Sequence, residues 1–325
     1  MGLPDRGECP LNPAAHRAAS RSENRLQGIT LKYTTGQWHL GQDQDASKPH
    51  ESSQPRGPVL CYHHWTPDSA PVATILLVHG LGEHAKRYAP VAETMVRKGF
   101  AVVGYDQSGH GLTGGPLPDF ETLLRDLDRV ARKLHSERVT LTHPRHEILL
   151  YGQSLGGALV LRYALDHPAH IAGVVASSPL IRTAVPPPQW KIWIGQTLGR
   201  FFPQLSLGTA VGSDQLSRIP EAQVRYRNDP LIHQRVSAVL ALSMLKAGEW
   251  VGEHAEQLRI PTLVMHGTAD SITSHHASIE FAQQAQNVCS LKLWPGGLHD
   301  LHFDAEQEKV LDHAGNFLMS LLNDV

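Results

Sequence analysis

From residue 72 onward, short uninterrupted apolar runs alternate with stretches of helical periodicity. This alternation limits the folds open to the chain more than any other feature. The runs are ATILLVHG (73–80), FAVVGYD (100–106), HEILLYGQS (146–154) and IAGVVASS (171–178), then TLVMHG (262–267) and SLKLWP (290–295). Helical patterns fall near 88–98, 119–137, 155–167, 274–287 and 303–322. Strands that are apolar along their whole length are covered on both faces, and strands joined by helices run parallel. The expectation is an α/β protein with a mostly parallel central sheet flanked by helices.

Two earlier strand-like pieces, LKYTT (31–35) and VLCYHHW (59–65), are separated by a polar stretch, 41–57, that reads as a long surface loop. Residues 1–28 lack periodicity and read as an unstructured leader. The α/β rhythm stops at Val185–Pro188, and a stretch of about 75 residues with helical periodicity and no strands follows. The domain reading is a first core part over 29–182, a helical cap over 183–258 and a second core part over 259–325. The cap is inserted after the sixth strand.

Composition narrows the function. Lys and Arg number 29 against 31 Asp and Glu, which gives no basic face for nucleic acid. Cys9, Cys61 and Cys289 are too few and too scattered for a disulfide framework or a C-x-x-C metal site. The first residues lack a secretory apolar region, Arg6 breaks the myristoylation pattern, and no apolar run nears the ~20 residues of a membrane span. A cytoplasmic protein is expected. The pairs His63-His64 and His275-His276, and His299-x-x-His302, match no helix-borne ligand spacing, so neither a metal nor another cofactor is expected.

Chemistry concentrates at Gly152-Gln153-Ser154-Leu155-Gly156-Gly157, which follows the strand EILLY and opens the helix ALVLRYAL. A G-x-S-x-G sequence between strand and helix is a nucleophile elbow. The serine sits on a sharp turn beside a helix N-terminus, whose free N–H groups favour a developing negative charge. A serine needs an adjacent base, and the base needs an orienting acid. Asp270 follows the strand TLVMH and His299 follows SLKLW, both at the strand ends that the elbow shares, in the chain order Ser, Asp, His. His302 and His313 are rivals for the base, and Asp300 and Asp304 lie too close to His299 in sequence to be its natural acid. Two backbone donors for an oxyanion are expected from Leu155 and from Leu81 in the turn His79-Gly80-Leu81-Gly82.

The blocks HGLGEHAKRY (79–88), YDQSGHG (105–111), GQSLGG (152–157), DPLI (229–232), HGTAD (266–270) and HDLH (299–302) resemble the monoacylglycerol lipase family of serine hydrolases. The resemblance runs from about residue 72 to the end. It implies an α/β-hydrolase fold with a lid, acting on glycerol monoesters of fatty acids. Ser154, Asp270 and His299 fall on the family's triad, and Leu81 and Leu155 on its oxyanion hole. Glu83, Arg87, Tyr226 and His302 fall on its polar pocket for the glycerol end, although Glu83 with Arg87 also reads as a structural ion pair and Tyr226 as lid packing. Thr273 stands where some mammalian members carry a cysteine.

Within the cap, Trp190, Trp193, Ile194, Leu198 and Phe201 make an apolar face on one helix. That face either packs down on the sheet or lines an acyl tunnel and touches a membrane or micelle. The expected activity is cleavage of a lipid monoester through an acyl-enzyme. A lysophospholipase or a broad carboxylesterase with the same triad is the alternative.

Overall fold

The structure, a computed structural model, describes residues 20–26, 29–41, 57–136, 148–202, 205–209 and 211–323. In chain order the first elements are strands β1 (Ser20–Leu26), β2 (Ile29–His39), β3 (Val59–Pro67) and β4 (Thr74–Val78), then helix α1 (Ala89–Arg97). There follow β5 (Ala101–Tyr105), α2 (Phe120–Ser136), β6 (Ile148–Gln153), α3 (Leu155–Asp166) and β7 (Ile171–Ser177). An insertion then carries α4 (Gln189–Phe201), β8 (Ser206–Gly208), α5 (Pro220–Asn228), β9 (Arg235–Ser237) and α6 (Ala238–Glu253). The chain returns through β10 (Thr262–Gly267), α7 (His275–Gln284), β11 (Cys289–Trp294) and α8 (Gln307–Asn323).

One sheet has the order β1-β2-β3-β5-β4-β6-β7-β10-β11. From β5 to β11 every neighbouring pair is parallel, whereas β1, β2 and β3 add on antiparallel at one edge. The period-2 rule divides the side chains between two cores. Leu76, Val78, Leu150, Val174 and Val264 point to one face, under α2, α3, α6 and α7. Ile75, Leu77, Leu149, Val175 and Leu263 point to the other, under α1 and α8. Strands β4, β5 and β6 are therefore buried at every position, which is why they read as continuous apolar runs.

Three expectations need correction. Residues 20–26, read as leader, form β1 and pair with β2 from Ser20↔Thr35 to Leu26↔Ile29; residues 1–19 lie outside the described residues. With that strand counted, the insertion follows the seventh strand and not the sixth. Nor is the insertion free of strands, because β8 and β9 pair antiparallel through Ser206↔Ser237, Leu207↔Val236 and Gly208↔Arg235. Three-residue strands so far apart in sequence leave no periodic trace. The polar loop read over 41–57 lies outside the described residues apart from its two ends.

Candidate active site

β6 ends at Gln153 and α3 begins at Leu155, so Ser154 alone makes the turn, at φ 54° and ψ −116°. Few L-residues take a positive φ, and one held there needs support from its surroundings. The support is close packing without side chains. A Cβ on Gly152 would stand 2.3 Å from the Gly156 carbonyl oxygen, and one on Gly156 would stand 2.1 Å from that of Val78. Ser154 N–H donates to Ser177 O at 3.0 Å, and Ser154 O accepts from Leu180 N at 3.0 Å. Ser154 is left half-buried between buried neighbours, and Leu155, as the first residue of α3, has an N–H with no intrahelical acceptor.

The turn after β4 lies against this elbow: a Cβ on Gly80 would be 3.4 Å from Ser154 Cβ. Both of its flanks are tied. Gly80 N–H donates to Glu83 Oε2 at 3.2 Å, and Gly82 O accepts from His233 N–H of the insertion at 2.9 Å. Between them the Leu81 N–H has no acceptor among the described residues.

The loops after β10 and β11 meet beside the elbow. His299 Nδ1 lies 2.7 Å from Asp270 Oδ2, and both side chains are buried. Asp270 Oδ1 accepts the N–H groups of Ile272 at 2.8 Å and Thr273 at 3.1 Å. The Thr273 hydroxyl donates to Oδ2 at 2.8 Å, and His266 Nε2 stands 3.1 Å from the same oxygen. Burial pushes the Asp270 pKa up, but His299 and His266 outweigh it and hold the carboxyl well below its usual range. For His299, burial favours the neutral ring, yet the Asp270 carboxylate, with Asp300 and Glu83 behind it, leaves the pKa above the ordinary imidazole value. With Nδ1–H donating to Asp270, Nε2 is the side left to accept a proton.

A cavity of about 220 Å³ has Ser154 and His299 in its wall. Leu155, Leu180, Leu216, Met244 and Ile272 make much of it apolar, and Glu83, Gln153, Tyr226 and Asp300 supply a polar end.

The four residues expected at that end divide. Glu83 and Tyr226 line the cavity, whereas Arg87 and His302 do not. Arg87 hydrogen-bonds Glu83 Oε1 and reaches Asp300 Oδ2 at 2.6 Å, with its guanidinium 4.1 Å over the Phe303 ring and 5.2 Å from that of Tyr226. It is a strut between two buried carboxylates, the structural reading of the Glu83–Arg87 pair. His302 is fully buried among the rings of Tyr88, Tyr151 and Phe303, and burial lowers its pKa to about 4. A neutral ring packed there belongs to the core, and neither Arg87 nor His302 is in the wall of this cavity. His313, the other rival base, lies in α8 near Trp294, away from this cavity.

Several members of the site were missed from sequence. Gln153 donates to Asp300 Oδ1 at 3.1 Å and so joins the elbow to the His299 loop. Tyr88 OH donates to Glu83 Oε2 at 2.6 Å. His266 could have been noticed, since it lies near the end of the strand that delivers Asp270.

The fold and the constellation together describe a serine hydrolase, and similarity to known proteins agrees. A family profile described as serine aminopeptidase, S33, matches residues 69–306. The rat monoglyceride lipase is 31% identical over 252 residues, which cover 76% of this chain and 81% of the relative. The crystal structure of Paleococcus ferrophilus monoacylglycerol lipase superposes with a TM-score of 0.73 at 31% identity, covering 81% of this chain and 99% of that one. The chain therefore belongs to this family of α/β-hydrolase-fold serine hydrolases, the one that includes these monoacylglycerol lipases. An uncharacterised abhydrolase-domain protein of Dictyostelium discoideum is 32% identical over 263 residues, and the chain spans only 27% of that protein's length.

Proposed function

We propose that the chain hydrolyses monoacylglycerols to fatty acid and glycerol through an acyl-enzyme on Ser154. The observation that carries this reading is the cavity shared by Ser154 and His299, apolar along much of its wall and polar where Glu83, Tyr226 and Asp300 face it. An acyl chain and a small polyol need that division. The monoacylglycerol lipases among the relatives add support for the substrate class.

His299 takes the Ser154 proton as the hydroxyl attacks the ester carbonyl, and Asp270 holds the imidazole tautomer and stabilises its charged form. The N–H groups of Leu81 and Leu155 receive the tetrahedral oxyanion, each donor being worth ~10²–10³ in rate. His299 then returns the proton to the departing glycerol oxygen. Water then attacks the acyl carbonyl as His299 takes its proton, the bond to Ser154 Oγ breaks to release the fatty acid, and His299 returns the proton to Ser154.

The insertion serves as a lid. Val211, Leu216, Tyr226, His233 and Met244 bring it into the cavity wall. Its α4 packs toward α6 through small residues, with Gly195 beside Leu242 and Gly199 beside Val239. Trp190, Trp193 and Phe201 stand 59%, 68% and 66% exposed. Such a face suits contact with a membrane or micelle surface.

Glycerol release from monoacylglycerols of graded chain length tests the reading, with diacylglycerol, a lysophospholipid and a short p-nitrophenyl ester alongside. Preference for monoacylglycerols, absent in Ser154→Ala, is the expected result. Faster turnover of the lysophospholipid, or equal turnover of every ester, would replace it with a lysophospholipase or a broad carboxylesterase.

A further inference from the structure

Asp270 carries more donors than its partnership with His299 requires. Its Oδ2 receives three side chains: His299 at 2.7 Å, the Thr273 hydroxyl at 2.8 Å and His266 at 3.1 Å. His266 is wholly buried, stands outside the wall of the cavity and plays no part in the steps above. Its other nitrogen, Nδ1, lies 2.7 Å from the hydroxyl of Ser278, which is also fully buried, on α7. A hydroxyl can donate or accept, and the neutral imidazole offers one of each. An ionised carboxylate only accepts, so Nε2 must carry the hydrogen toward Asp270 and Nδ1 must accept from Ser278. The chain of bonds then runs in one direction, from Ser278 through His266 to the carboxylate that His299 also approaches.

We propose that His266, anchored by its hydrogen bond with Ser278, is a positioning residue that holds the Asp270 carboxylate in the orientation His299 needs. The proposal rests on the reading of Asp270 and His299 as acid and base. The second imidazole competes for the charge on Oδ2 and braces it from the sheet side, while the two backbone N–H groups fix Oδ1. Without it the carboxylate turns more freely, and more of its charge falls on His299. Proton uptake by His299 then becomes easier, and the base is lost to protonation at a higher pH. The other charged or titratable groups facing this pair are Asp300, Glu83 and His302 around His299, and His275 with its ring centroid 6.3 Å from that of His266. All of them stay in place in the variants below.

The test is the pH dependence of glycerol release from a monoacylglycerol by wild type, His266→Ala, His266→Gln and Ser278→Ala, with Ser154→Ala alongside. In His266→Ala, kcat should fall about ten- to a hundred-fold, the worth of one hydrogen bond to a charged group. KM should stay within about twofold, because no substrate contact is removed. The acid limb should move to higher pH. In His266→Gln the introduced amide can donate to the same oxygen and should restore most of kcat, and Ser278→Ala should lose less than His266→Ala. Equal losses in His266→Ala and His266→Gln with an unmoved acid limb would mean packing alone and overturn the proposal. Wild-type kcat in His266→Ala would overturn it too. If His266→Ala does not fold, His266→Gln and Ser278→Ala decide: wild-type kcat in the first with a reduced kcat in the second supports the proposal, and an unchanged Ser278→Ala overturns it. Retained turnover in Ser154→Ala would bring down the triad reading and this inference with it. An inactive Ser154→Ala beside an unaltered His266→Ala brings down this inference alone.

Discussion

His299, as the base, sets the pH range of the reaction. As the base it works only when neutral, and its pKa is raised because Asp270, Asp300 and Glu83 together outweigh the effect of burial. The sign follows directly: activity should decline as pH falls through a value above the ordinary imidazole pKa, and should hold above it. A profile of kcat/KM against pH measures this, and an acid limb at or below the unperturbed value near 6.5 would contradict it. At this scale much was legible from chain order and loop position. Ser154, Asp270 and His299 each follow an apolar run, so the sheet had to bring them to one edge. What remained hidden depends on distances between loops. Asp300 was set aside as too local to serve as acid, and it turns out to hold Arg87 and Gln153. His302 shares the HDLH block with His299 and has the right residue type, but its short helical turn points it into the rings of Tyr88 and Tyr151.

Among the elements, the strand-turn-helix at Ser154 was fully readable, because Gly152 and Gly156 have no alternative where Val78 and Val160 approach so closely. Helix α4 was readable as an element but not in its orientation. Its tryptophans mark an apolar face by spacing, while its glycines settle which side meets α6. Periodicity alone reports that a face exists and not what covers it. The exposure of Trp193 leads to a prediction: Trp193→Ser should weaken binding to phospholipid vesicles, read by co-sedimentation, about ten-fold or more, by roughly the transfer free energy of one exposed aromatic side chain. Hydrolysis of a water-soluble short-chain ester should stay unchanged. Equal vesicle binding by wild type and variant would remove α4 from the lipid contact. The β8–β9 pair was illegible for a simpler reason: three residues are too few to show alternation.

For the molecule as a whole, the parallel strands bring three loops and the elbow to one end of the sheet, and residues of the insertion line the cavity beside them. A buried polar cluster joins the parts. Arg87 bridges Glu83 of the turn after β4 and Asp300 of the loop after β11, while Gln153 ties Asp300 to the elbow. Breaking such a pair by removing one partner leaves a buried charge uncompensated. Arg87→Met should therefore destabilise the protein by about 3–5 kcal/mol, read from denaturant unfolding. A substrate contact would instead raise KM and leave the unfolding midpoint where it was. The α/β architecture was legible from where apolar runs stop and resume. Strand β1 was not, because the sequence SRSENRL carries little apolar signal and is paired by its backbone to β2.

Covalent labelling of the nucleophile tests whether Ser154 carries the reaction. The protein would be incubated with a long-chain alkyl fluorophosphonate, the adduct mapped by peptide mass, and glycerol release followed in the same samples. One adduct is expected, on Ser154, forming in step with the loss of activity and absent from Ser154→Ala. An adduct on another residue that tracks inactivation, or full turnover in fully labelled protein, would contradict it.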